Sequence, residues 1–207
     1  MSMLERGLLE LGITASKDQL EKLNIYVDEI EVWNGKYNLV KVAGREEILT
    51  RHVLDSLAGL PHIRAKNPRS LADLGSGAGF PGIPLALFLT ECAVVLVERS
   101  EKRCRFLEQA KLLLDLKNVR VLNRDSSEVG ESFDLVTFRA FRPFEEAIVA
   151  DILGLLNPGG WTVAYKGRFD KTEEERQGLE DRFVSTELIP LKVPFSEGER
   201  HLLMLRG

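Results

Sequence analysis

Apolar residues recur along the chain with two different periods, and the change comes near residue 68. Before it the spacing is helical. Leu20, Leu23, Val27 and Ile30 repeat at three- and four-residue intervals, with Tyr26 and Trp33 widening the stripe. Ser16 and Gln19 have the spacing of a capping box that would start this helix, and Asn34-Gly35 supplies a stop signal. A second helix is expected from Arg45 to Gly59, burying Ile48, Leu49, Val53, Leu54 and Leu57. Both helices are amphipathic and need a host, so residues 1–67 read as a helical extension packed on the remainder.

From 68 to 207, short apolar runs alternate with helical stretches, the signature of a parallel sheet with crossover helices. Strands are predicted at Leu71–Leu74, Ala93–Glu98, Val119–Leu122, Asp134–Phe138 and Trp161–Tyr165. Helices are predicted at Gly82–Leu89, Glu101–Leu116, Phe144–Leu156 and Lys171–Glu180. Two final extended runs, Phe183–Val193 and Arg200–Leu205, are joined only by Pro194 to Glu199 and should form an antiparallel hairpin. The expected class is α/β, a mostly parallel sheet closed by that hairpin.

Composition narrows the function. Hydrophobic residues make up 44% and charged residues 29%, which excludes disordered and fibrous classes. Lys plus Arg is 28 against 32 Asp plus Glu, a net charge of -4. That excludes a globally basic nucleic-acid coat and leaves a local basic patch open. Two cysteines are too few for a disulfide scaffold, and His52, His62 and His201 lack metal-ligand spacing, so no metal is expected. No apolar run approaches the roughly 20 residues a membrane span needs. Met1 to Arg6 lacks the basic-then-apolar order of a signal peptide, so a cytoplasmic protein is expected, with no obligate protein partner evident.

The densest chemical signal is Asp73-Leu74-Gly75-Ser76-Gly77-Ala78-Gly79-Phe80-Pro81-Gly82, a glycine loop between the first strand and a helix. Gly77, Gly79 and Gly82 fit a dinucleotide spacing. Gly75, Gly77 and Gly79 fit the tighter spacing of S-adenosylmethionine sites. Charge favours the second: Asp73 would repel a pyrophosphate, whereas a sulfonium and an ammonium tolerate a carboxylate. Glu98, 19 residues beyond Gly79, can accept ribose hydroxyls of either ligand.

A methyl acceptor would leave further marks. Exocyclic base amines call for an Asp/Asn-Pro-Pro-aromatic tetrad after the fourth strand, where this chain has Phe138-Arg139-Ala140-Phe141. Pyrimidine C5 calls for a thiolate, and neither Cys92 nor Cys104 sits in a catalytic loop. Guanine N7 has a free lone pair and no proton to lose, so it needs no general base. Arg139, Arg142, Lys166 and Arg168 follow predicted strand ends, where open α/β sheets bind ligands, and Phe141 could stack on a base. An NAD-dependent oxidoreductase and a non-catalytic RNA-binding assembly factor are the competing readings.

Several motifs together resemble one family: Trp33-Asn34 with Tyr37-Asn38-Leu39, Arg51-His52-Val53-Leu54-Asp55-Ser56, Asp73 through Pro84, Lys102-Arg103 with Phe106-Leu107, Arg139-Ala140-Phe141, Lys166-Gly167 and Gly198-Glu199-Arg200-His201. In this order they resemble the bacterial 16S ribosomal RNA guanine-N7 methyltransferases, the RsmG (GidB) family, over nearly the whole chain. The resemblance implies a class I, Rossmann-like S-adenosylmethionine-dependent fold and 16S rRNA, or the small ribosomal subunit, as substrate. It implies Gly75 and Phe80 as cofactor contacts, with Asp73, Ser76, Gly77 and Glu98 in the same site. Arg139 falls at the cofactor or substrate, with Lys166 beside it as the second catalytic candidate. Asp125, Ser126 and Ser127 are the candidates for the adenine. Arg124, Phe141, Arg142, Arg168, Arg200 and His201 are the candidates for RNA.

Overall fold

The computed structural model describes residues 1–139 and 143–207. Its N-terminal part is helical. Helix α1 (Met3–Glu10) starts at a capping box between Ser2 and Glu5, and α2 (Lys17–Tyr37) at the one between Ser16 and Gln19. Gly35 does not stop α2. The helix ends where Asn38 turns left-handed at φ 50°.

Arg45 to Ala58 runs helically, as expected, but the winding changes within it. Helix α3 (Arg45–Ile48) passes into a π-helical turn, Leu49–Leu54, and then into α4 (Asp55–Ala58). A further short helix, α5 (Leu60–Arg64), follows. π turns are rare and cluster at functional sites.

The sheet has seven strands among the described residues: β1 (Ser70–Leu74), β2 (Ala93–Val97), β3 (Val119–Leu122), β4 (Phe133–Arg139), β5 (Leu156–Lys166), β6 (Ser185–Leu191) and β7 (Arg200–Arg206). Their order is β3-β2-β1-β4-β5-β7-β6. All pairings are parallel except those of β7, which lies antiparallel between β5 and β6. Helices α6 (Gly82–Phe88), α7 (Glu101–Leu113), α8 (Glu146–Gly154) and α9 (Phe169–Gln177) lie between strands in the chain. The helix expected at Phe144–Leu156 is shorter than its pattern because Leu156 already pairs with Phe133, across a register shift, and opens β5.

The strands alternate between two cores. Leu71, Leu96, Leu135, Val163 and Leu202 face one side, where Leu23, Tyr26, Val27 and Ile30 of α2 join them with no exposed surface. Burial of such side chains stabilises by about 1.5–3 kcal/mol each, so the helices of residues 1–67 are held by the sheet's own core. Ala72, Leu74, Val95, Val136 and Leu203 face the other side, against Ile148, Val149 and Ile152 of α8.

Candidate active site

Strand order reverses between β1 and β4, and the crevice at that reversal is where an open α/β sheet takes its ligand. The glycine loop lies there. Gly75, Gly77 and Gly79 adopt φ of 66°, 60° and 91°, a region that side chains disfavour. The Gly75 and Ser76 amides donate to the Val97 carbonyl at 2.8 and 3.1 Å, lashing the loop to the end of β2. Ser76 turns its hydroxyl inward to the Asp73 carbonyl.

Two glycines show two different demands. A Cβ on Gly82 would lie 2.3 Å from Leu96 Cδ2 and 2.6 Å from Asp73 Oδ2, so this position is closed by packing. A Cβ on Gly77 would meet nothing nearer than the Gly75 carbonyl oxygen at 3.8 Å, so this position opens to a ligand. Beside it Glu98, 3% exposed, accepts from the Gly77 amide at 2.9 Å and the Ser100 amide at 2.8 Å. Asp73 stands behind the loop. Its Oδ2 accepts from the Gly82 amide at 3.0 Å, its Oδ1 has no partner among the described residues, and burial pushes its pKa up to about 7. An open backbone cradle with two buried carboxylates fits a ligand bearing cationic groups and ribose hydroxyls.

Phe80 links this loop to a second feature. Its ring stacks on His52 (centroids 4.9 Å apart, planes 22°) and lies 5.3 Å below the Arg139 guanidinium carbon. Arg139, at the end of β4, donates to the Arg51 carbonyl at 2.8 Å and to Asp55 Oδ2 at 3.1 Å, and its Nη2 is 2.6 Å from His52 Nδ1. Arginine can only donate, so Nδ1 accepts and the imidazole proton sits on Nε2. Burial, and then the charges of Arg139, Arg51 and Arg200, lower the His52 pKa to about 3, which keeps the ring neutral.

Arg51, His52, Asp55 and Arg139 line a cleft of about 880 Å³ with Lys41, Tyr165, Lys166, Phe195 and Arg200. The cleft is rich in cations. Arg200 donates from Nε to Asp55 Oδ1 at 2.9 Å. Lys166 is 2.6 Å from Glu175 of α9, a partner the sequence did not reveal. Tyr165 donates to the Ser56 carbonyl.

The other expected site residues are dispersed. Asp125 caps the turn Ser126–Glu128, accepting from the Ser127 amide and hydroxyl at 3.3 and 3.1 Å, and Ser126 is buried. Arg124 is exposed beside that turn. Arg168 is exposed and paired with Asp170. His201 is buried, 2.7 Å through Nδ1 from the carbonyl of Gly167, which lines the cleft, so its side chain backs that residue rather than standing free for RNA. Phe141 and Arg142 lie outside the described residues. Sequence reasoning assigned no role to His52 or Asp55. Their trace is the polar set Arg51, His52, Asp55 and Ser56 among Leu49, Val53, Leu54, Leu57 and Ala58.

The family model for rRNA small subunit methyltransferase G matches residues 19–203. The chain belongs to that family. The curated rRNA small subunit methyltransferase G of Borrelia garinii subsp. bavariensis is 38% identical over 207 residues, 99% of each chain. The one from Borrelia turicatae is 41% identical over 190 residues, 91% of each. Among solved structures, a SAM-dependent methyltransferase from Aquifex aeolicus covers 77% of this chain and 92% of its own, with a TM-score of 0.59 at 15% identity. A predicted O-methyltransferase from Agrobacterium tumefaciens also gives 0.59, at 21% identity over 75% and 80% of the two chains. At such identities the likeness shows the fold: the mostly parallel, Rossmann-like sheet of the methyltransferases. Among the described residues no helix is long and apolar enough to cross a membrane, and no group of three metal-ligating side chains occurs.

Proposed function

We propose that this protein transfers a methyl group from S-adenosylmethionine to N7 of a guanosine in bacterial 16S rRNA, in the cytoplasm. One observation carries the choice of acceptor. Among the described residues, the buried and half-buried groups lining the cleft that could take up a proton are engaged: His52 Nδ1 by Arg139, Asp55 by Arg139 and Arg200, Lys166 by Glu175, Tyr165 by the Ser56 carbonyl; the remaining carboxylate, Glu197, is exposed to solvent. An acceptor that must lose a proton would want one of them free, because a general base typically contributes about 10²–10⁴ in rate. Guanine N7 has its lone pair ready, and alignment alone can supply roughly 7–11 kcal/mol.

S-adenosylmethionine supplies an electrophilic methyl group on a sulfonium. The protein's part is to bind and align. Gly75, Ser76 and Gly77 give close backbone approach, Glu98 holds the ribose, Phe80 contacts the cofactor, and Asp125, Ser126 and Ser127 receive the adenine. Arg139 and Lys166 hold the reacting guanine. Arg124, Arg168 and Arg200 hold the RNA backbone with Arg142, Phe141 stacks on a base, and His201 supports this wall. The test is incubation with radiolabelled S-adenosylmethionine and hypomethylated small-subunit RNA, followed by mapping of the label. Label at N7 of one guanosine is expected. Label elsewhere rejects the acceptor, and tight NADH binding without S-adenosylmethionine binding rejects the donor.

A further inference from the structure

Arg139 does not reach the cleft unaided. Three acceptors hold it, and all come from one helical segment: the Arg51 carbonyl, His52 Nδ1 and Asp55 Oδ2. The first two lie within the π turn and the third directly follows it. The other carboxylate oxygen of Asp55 takes Arg200 from the start of β7. The Asp55 side chain is 3% exposed, against 19% for Arg139 and 32% for Arg200. Buried charges persist when they are paired, and here one carboxylate offsets two guanidiniums. Lys41, Arg51 and Lys166 share the same wall, and its other carboxylate, Glu197, is exposed to solvent, so without Asp55 the two arginines would lose the one buried charge that offsets them.

We propose that Asp55 is a positioning residue for methyl transfer. It fixes Arg139 over Phe80, keeps Arg200 in the same wall, and offsets their charge beside the donor loop. The proposal rests on the donor and acceptor named above. It gives the helices of residues 1–67 a part in the chemistry, since no residue of the sheet supplies this carboxylate.

Asp55→Asn preserves shape and removes the charge. Turnover on RNA should fall about 10²-fold, the loss expected when a reacting group is misplaced by an ångström. RNA affinity should fall far less than turnover, by under about tenfold, since Arg200 keeps its charge even where its position shifts and the other cations stay in place. By calorimetry, affinity for S-adenosylmethionine should fall about tenfold relative to S-adenosylhomocysteine, which lacks the sulfonium charge. A packing defect would weaken both alike, so reduced turnover with an unchanged ratio overturns the proposal, as does unchanged turnover. If Asp55→Asn does not fold, Arg200→Gln is compared with Asp55→Asn/Arg200→Gln, which removes carboxylate and cation together. The double variant should turn over about tenfold more slowly than Arg200→Gln, and equal rates overturn the proposal. Wild-type protein that binds neither ligand would sink the functional reading instead.

Discussion

The glycine loop and the cationic cleft meet at Phe80, yet they are built in opposite ways. The loop is made of backbone. Its geometry comes from three left-handed glycines, two amides on one carbonyl and a carboxylate behind, within residues 73–98. The cleft is made of side chains from Lys41 to Arg200, joined across 84 residues from Asp55 to Arg139 and 145 from Asp55 to Arg200. A backbone site is fixed locally and tolerates one ligand shape. A side-chain site is fixed only when the sheet has closed, and a single buried carboxylate balances it.

The two regions should respond oppositely to pH. Asp73 keeps a proton in the folded chain up to about pH 7, whereas the unfolded chain releases it near 3.8. Its contribution to stability therefore declines as pH rises from about 4 to 7. His52 stays neutral in the folded chain down to about pH 3, whereas the unfolded chain gains its proton near 6.5. Its contribution declines as pH falls from 6.5 to about 3. Each slope is about 1.4 kcal/mol per pH unit. Relative to wild type, the unfolding free energy of Asp73→Asn from denaturant melts should rise with pH between 4 and 6.5, by roughly 3 kcal/mol over the window, and that of His52→Gln should rise as pH falls. If both variants keep the wild-type slope, neither group titrates as its burial requires.

Arg139→Ala strikes the point where the regions touch. Methyl transfer should drop about 10²-fold while circular dichroism remains native, and retained turnover would remove Arg139 from the chemistry. The glycines separate packing from binding. Gly82→Ala should lower stability by about 1–3 kcal/mol, because Leu96 and Asp73 already fill its space. Gly77→Ala should lower stability by only about 1 kcal/mol but abolish S-adenosylhomocysteine binding in calorimetry. The reverse order would exchange their roles. The smallest effect belongs to Ser16→Ala, about 1 kcal/mol in thermal melts from loss of the α2 cap.

How much could be read in advance follows the same division. The crossover order, the antiparallel return and the loop with Glu98 all follow from short-range spacing, which a linear pattern preserves. Helix α1 escaped notice although Ser2 and Glu5 carry the same capping signal as Ser16 and Gln19. The π turn left no mark, because it is set by what packs on both sides rather than by residue preference. Pairings such as Lys166 with Glu175 or Asp55 with Arg200 depend on which strand ends converge, and periodicity says nothing about that. Arg139 was legible as a cation at a strand end. That His52 and Asp55 aim it was not.

The place of β7 has a consequence for synthesis. Strand β6 is made before β7 but lies outside it, so it has nothing to pair with until the later strand emerges and docks on β5. A nascent chain halted after residue 191 would carry the glycine loop yet lack Arg200, and so half of what Asp55 holds. The strand that completes both the sheet and the cleft is thus made after the six strands it joins, and a product stalled before it would be left without a finished cleft wall.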